Sequence, residues 1–144
     1  MTSLPCGFES NYDGEFLQFW NSQFAMLEPG SCVLDVCSGN GSIALLAQDY
    51  SDRHRLDLEI KAVDAADIDT AALIEKKPEF ESQILAIEFT PNTLFEDFPA
   101  EAASMDLVTS QYGIEYTDWE LSAEKIHQLL KPGGYFSVIC HAFD

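Results

Sequence analysis

Basic residues are scarce in this chain. Seven Lys and Arg stand against 25 Asp and Glu, for a formal net charge of −18. Such a surface repels polyphosphates, which argues against unaided binding of DNA or RNA. It suits solubility, a cationic substrate, or pairing with a more basic part of a longer chain. Long apolar runs are also missing: none approaches the roughly 20 residues that a membrane helix needs, so no membrane partner is expected. The opening "MTSLPCGFES" has neither a basic n-region nor an apolar h-region and does not read as a signal peptide. Cysteine is limited to Cys6, Cys32, Cys37 and Cys140, with no C-x-x-C pair and no histidine at zinc-ligand spacing. No metal site is expected from that pattern, and free thiols beside apolar strands suit a reducing, cytoplasmic setting. There is no internal repeat and no low-complexity tract.

What is present is a globular composition, with 47% apolar and 12% aromatic residues in 144 positions. That is the size of one domain able to hold its own core. Residues 1–30 read as an N-terminal helical segment and 31–144 as an αβ core. "EFLQFWNSQFAMLE", 15–28, sets Phe16, Trp20, Phe24 and Leu27 at helical spacing before Pro29-Gly30. "CVLDVC" is a strand, and "SIALLAQDY" a helix that Asn40 or Ser42 caps. A second strand is expected at 56–64, a helix at 67–77 closed by Pro78, and a third strand at 83–89. "TPNTLFEDFPAEAAS" reads as a loop, and residues 105–110 as a fourth strand. In "DWELSAEKIHQLL", Trp119, Ala123, Ile126 and Leu130 form one helical face, and "KPGG" offers a left-handed stop. A fifth strand follows at 135–142. Regular alternation of strand and helix implies an α/β fold, a three-layer doubly wound sheet, with ligands at the carboxyl ends of the strands.

The first of those ends carries the glycine loop. Gly39 to Ala44 fits G-x-G-x-x-A, and Asp64 lies 20 residues beyond Ala44. Spacing alone would suit a nicotinamide dinucleotide, with Asp64 accepting from the ribose hydroxyls. The G-x-x-x-x-G-K-[ST] pattern of a nucleotide triphosphate loop is absent. Asp35 separates the remaining readings, because an acid before the glycines gives D-x-C-x-G-x-G.

With that acid, the sequence resembles the class I S-adenosylmethionine-dependent methyltransferases, whose first motif usually has the form V-L-D-x-G-x-G-x-G. "VLDVCSGNGSIAL", "IKAVDAAD", "MDLVTSQYGIEY" and "LLKPGGYFSVIC" are similar to four of their motifs, in order. The resemblance implies a Rossmann-like, mainly parallel sheet of order 3-2-1-4-5, without the family's sixth and seventh strands. It implies S-adenosyl-L-methionine as cofactor and S-adenosyl-L-homocysteine as product. Asp35 would face the methionine end, and Cys37, Ser38, Gly39, Asn40 and Gly41 would bring backbone N–H groups to the carboxylate. Asp64 would hold the ribose, with Ala65 and Ala66 beside the adenine. Asn92, next to Thr93, would meet the adenine amino group. Ser110 and Gln111 would border the methionine part, and Tyr12 would close over the cofactor.

Methyl transfer is an in-line displacement in which positioning and desolvation dominate. A base matters only where the acceptor atom must lose a proton. Tyr112, Glu115 and His141 are the candidates at strand ends, with Tyr116 as pocket wall. Cys37 replaces a family glycine and reads as a compact wall residue. The expected activity is methylation of a small-molecule acceptor. A non-catalytic cofactor-binding or assembly module, suggested by the shortened sheet, and a nicotinamide oxidoreductase, suggested by G-x-G-x-x-A, are the alternatives. The apolar fifth strand would form an edge, where a second copy could pair to give a homodimer.

Overall fold

The computed structural model describes residues 14–141. Tyr12 lies outside these described residues. Helix α1 (Gly14–Phe24) is followed by β1 (Cys32–Val36), α2 (Ser42–His54) and β2 (Glu59–Val63). Then come α3 (Thr70–Lys76), α4 (Glu81–Ala86), β3 (Glu88–Thr90), β4 (Met105–Gln111), α5 (Trp119–Leu129) and β5 (Leu130–Ile139). The strands form one parallel sheet in the order β3-β2-β1-β4-β5. This is the Rossmann-like order that the motifs imply. Among the described residues, no helix is long and apolar enough to cross a membrane.

Successive strand residues point to opposite sheet faces, and two cores follow from that alternation. Val33, Ile60, Ala62 and Leu107 face one layer, where they meet Trp20 and Phe24 of α1, α2, and Ile84 of α4. Leu34, Val36, Val63 and Val108 face the other, against Phe95, Phe98, Ile126 and Leu129. Asp35 and Thr109, opposite each other in the β1–β4 register, fall on the α1/α2 face. Helix α1 is tied to the sheet by more than packing. The Trp20 indole N–H donates to Gln111 Oε1 at 2.6 Å, the Tyr135 hydroxyl donates to the Gln23 carbonyl, and Ser137 bonds the Gln23 side chain.

Several local expectations change. Most of the stretch expected as the third strand is helix α4, and only Glu88–Thr90 joins the sheet. Pro78 opens a short 3-10 turn, and the chain continues helically with Ile84 buried and Leu85 exposed. In α5, Asp118 caps the start by accepting from the Leu121 N–H. That phase buries Ser122, Ile126 and Leu129 and leaves Trp119 half exposed, so the inward face differs from the expected one. Leu130 already belongs to β5, and Lys131–Gly134 forms an irregularity between the pairs Met105–Leu130 and Leu107–Tyr135. Glycine is required there because a Cβ at Gly134 would sit 3.0–3.1 Å from three backbone oxygens. Neither Asn40 nor Ser42 caps α2. The cap position is Gly41, at φ 80°, and the Ser42 hydroxyl donates to Asn40 Oδ1 instead.

Trp20 is fully buried. Trp20→Ala should lower unfolding free energy by about 3–5 kcal/mol, measured by urea denaturation of the full chain. A loss below about 1 kcal/mol would mean that α1 does not share the core.

Candidate functional site

The turns after β1, β2 and β3 meet at one end of the sheet. Along the first, φ is positive at every second residue: 57° at Cys37, 56° at Gly39 and 80° at Gly41. This left-handed alternation folds the loop tightly enough for Gly41 N–H to bond the Ser38 carbonyl at 2.8 Å. Cys37 is the position where a side chain makes the backbone costly, by roughly 1–2 kcal/mol. Asp64, just past β2, closes the loop from the side. Its two carboxylate oxygens accept from the Gly39 and Ala66 N–H groups, each at 2.8 Å. The third turn joins through Thr93 N–H to the Asp64 carbonyl and Asn92 N–H to the Ala66 carbonyl, both 2.9 Å. The Asn92 amide N–H₂ also donates to Asp67.

Asp35 is 2% exposed and accepts a 2.9 Å hydrogen bond from the Thr109 hydroxyl. Burial raises its pKa from 3.8 to about 7, against the lowering effects of Thr109 and the Ala44 amide, with Asp64 adding repulsion. Cys37 has its thiol pushed up to about 12, first by burial and then by Asp64, Asp35 and Glu115. It is therefore an inert wall group and not a thiolate nucleophile.

A cleft of about 360 Å³ opens beside this loop, lined by Cys37, Asp64, Ala65, Thr93, Gly113 and Tyr116 among others. A smaller hollow of about 280 Å³ lies on the far side of Gly39 and Asn40, against Asp67 and α3. A larger hollow, about 450 Å³, lies among Glu28, Asp106, Lys131 and Tyr135 at the opposite ends of the strands. It is the weaker candidate despite its size. Asp106 Oδ2 is already satisfied there by the Cys32 N–H and the Lys131 ammonium, at 2.8 and 3.0 Å. Among the described residues, no group of three or more His, Cys, Asp or Glu side chains is placed to hold a metal ion.

Tyr112, Glu115 and His141 come together at the ends of β4 and β5. The Tyr112 and His141 rings stack with centroids 4.2 Å apart, and Phe16 meets Tyr112 edge-on. Tyr116 Oη lies 2.8 Å from His141 Nδ1. Glu115 Oε2 accepts from the His141 backbone N–H at 2.7 Å and lies 3.3 Å from Nδ1.

Residues 33–134 match a family model described as "Methyltransferase domain". The chain belongs to that family. Solved structures share the fold of this methyltransferase domain at low identity. YcgJ of Bacillus subtilis is 23% identical with TM-score 0.66, covering 87% of this chain and 50% of its own. A geranyl diphosphate C-methyltransferase from Streptomyces coelicolor, solved with S-adenosyl-L-homocysteine, is 14% identical with TM-score 0.66, covering 85% and 42%. Phosphoethanolamine N-methyltransferase 2 of Haemonchus contortus, solved with S-adenosyl-L-methionine, is 20% identical with TM-score 0.65, covering 92% and 28%. The methyltransferase domain thus spans half or less of the length of these proteins. No curated protein matches the chain.

Within the methyltransferase domain, most expected site residues surround the cleft or its loop, with two corrections. Ser110 and Gln111 lie inside β4, not after it. Ser110 is fully buried and its hydroxyl accepts from the Ile114 N–H, while Gln111 accepts from Trp20. Both shape the turn beyond β4. Ser38 has a buried hydroxyl oxygen without a protein partner. Gly113 carries a constraint that the motifs do not reveal: a Cβ there would lie 2.4 Å from Cys37 Cβ. The signal was available as a glycine just past the fourth strand, but its meaning depends on the departure at Cys37.

The Asp35 pKa has a definite sign. The native state holds the proton more tightly than the unfolded chain. Its contribution to stability is therefore greatest below pH 4 and declines as pH rises towards about 7. The ionised form costs on the order of 4 kcal/mol. Asp35→Asn should leave stability near the wild-type value at pH 4 and exceed it by about 2–4 kcal/mol at pH 8, read from urea midpoints. Equal effects at both pH values would remove the buried-carboxylate account. Gly113→Ala should cost about 1–3 kcal/mol, and less than about 1 kcal/mol when Cys37→Gly is also present. Additive losses in that double-mutant cycle would show that the two residues do not press on each other.

Proposed function

We propose that this chain is the cofactor-binding part of an S-adenosylmethionine-dependent methyltransferase acting on a small-molecule acceptor. The observation that carries this reading is the use made of the α2 N-terminus. In dinucleotide folds the helix N-terminus meets a pyrophosphate. Here the Asp35 carboxylate lies close enough to that first turn for the Ala44 amide to lower its pKa, and Thr109 fixes it there with a 2.9 Å hydrogen bond. A phosphate placed there would confront that carboxylate and Asp64 together. A cofactor bearing an ammonium and a sulfonium fits the same charges favourably, and one carboxylate can be met by loop N–H groups. The buried Ser38 hydroxyl oxygen is a further unfilled acceptor beside it.

Bound there, S-adenosylmethionine supplies an electrophilic methyl group on a good leaving group. The chain's residues supply position and dryness. Asp64 takes the ribose hydroxyls in this reading, exchanging its bonds to the Gly39 and Ala66 N–H groups for ligand donors. Cys37, Ala65, Thr93 and Gly113 form walls of the adenosine side. Asp35 supplies negative potential from behind the loop, through Thr109. The outer edge of β5 has no neighbouring strand among the described residues. It suits pairing with more of a longer chain or with a second copy.

Calorimetry with S-adenosylhomocysteine tests the reading. Micromolar binding is expected, and Asp64→Ala should weaken it by about 1–3 kcal/mol. Absence of binding by a folded sample, or tighter binding of NADH, would overturn it. Unchanged affinity in Asp64→Ala would remove that residue from the site.

A further inference from the structure

Glu115 is not explained by the fold. Its side chain is 8% exposed, so it is held away from water. Oε2 is occupied by the His141 backbone N–H, but Oε1 is buried and has no hydrogen-bond partner. A buried carboxylate oxygen left without a donor costs free energy that no neighbour here offsets. Among the described residues its ion pair is with His141, and none is recorded with a lysine or arginine. It stands two residues beyond Gly113, which packs against Cys37 of the glycine loop. Around it stand Tyr112, Tyr116 and His141, with ring centroids 4.2 and 5.8 Å from the histidine.

We propose that Glu115, with Tyr112 and Tyr116, forms the acceptor subsite, and that the acceptor is a small amine arriving as an ammonium ion. This rests on the cofactor reading above and names the substrate class for it. A carboxylate oxygen lacking a donor, beside electron-rich rings, is complementary to a cation bearing N–H. An anionic acceptor would meet Asp64, Glu96 and Asp118 in the lining of the cleft that Tyr116 borders, with Glu115 next to Tyr116 in the chain. The overall charge of −18 draws small cations towards the mouth. Glu115 Oε1 is also placed to take the proton that an ammonium must lose before methylation. The N–H bond breaks, an O–H bond forms on Oε1, and the electron pair stays on nitrogen as its lone pair.

The test is titration of the full chain with tert-butylammonium chloride, with tert-butanol as neutral isostere. Shifts of the Tyr112, Tyr116 and His141 resonances are followed with and without saturating S-adenosylhomocysteine. The cation should bind at least tenfold tighter than the alcohol and do so with S-adenosylhomocysteine present. Glu115→Gln should remove the preference. Tyr116→Leu, at an exposed position, should weaken the cation severalfold and serves if the first variant does not fold. Equal binding of the alcohol would overturn the inference. So would displacement of the cation by S-adenosylhomocysteine, because Glu115 would then serve the cofactor's own ammonium. Cation binding to a chain that fails to bind S-adenosylhomocysteine would uphold the cation site and overturn only the cofactor reading.

Discussion

Strand β1 is hydrogen-bonded on both sides, to β2 from Cys32 to Val36 and to β4 from Val33 to Asp35. A strand held along both edges cannot slide, so the point where it stops is fixed. The chain must then turn within five residues and return as α2 against the same face. Left-handed backbone at Cys37, Gly39 and Gly41 is how it does so. Two consequences follow from that geometry. Loop N–H groups become available beside the cleft, one of them already claimed by Asp64. The Asp35 carboxylate is trapped between the sheet and the helix start, with Thr109 as its side-chain donor.

Stability would be better served by an uncharged residue at that central position. A fully solvated carboxylate loses its hydration when buried, and one hydroxyl and one amide do not restore it. The raised pKa of Asp35 is the measure of that deficit. Cys37 adds a second cost, a side chain on left-handed backbone, and fixes Gly113 as the one residue small enough to pass it. These features lie within a few residues of one another, at the end of the sheet where a ligand would supply what they lack. Strain of this kind persists where the surrounding structure over-determines it.

The sheet order and the glycine loop were legible because each rests on local chemistry. Alternating apolar runs mark strands, and glycines between an acid and a helix mark a tight turn. The third strand is hard to place from sequence because "QILAIEF" is apolar without a clear period. Helix and strand both bury Ile84 and Ile87, and only the packing of α4 on α2 decides between them. The inward face of α5 is not legible from hydrophobicity alone, because Ser122 is buried while Trp119 stays half exposed. The expected fourth strand, 105–110, stops one residue short of Gln111, the last residue of β4. Whether a polar strand end faces the cleft or the core is decided by partners distant in sequence, here Trp20 and Ile114. The meeting of Tyr112, Glu115 and His141 depends on the parallel register of β4 and β5, which no motif encodes.

Cavity size alone would have pointed to the wrong end of the sheet. The hollow by Lys131 and Asp106 is larger, yet Asp106 is paired with Lys131 and its Oδ2 has two donors. The end by the glycine loop holds a buried acid with a raised pKa, a buried serine hydroxyl without a partner and a buried carboxylate oxygen without a donor. The other two unpartnered side-chain oxygens among the described residues are neutral amides, on Asn21 and Gln48. A neutral amide left unpaired costs much less than a carboxylate. What distinguishes the two ends is therefore unmet hydrogen-bonding and electrostatic demand, carried by two carboxyl groups and a hydroxyl. A ligand completing this end must bring positive charge and N–H or O–H donors. That requirement follows from the side chains alone, independently of any relative.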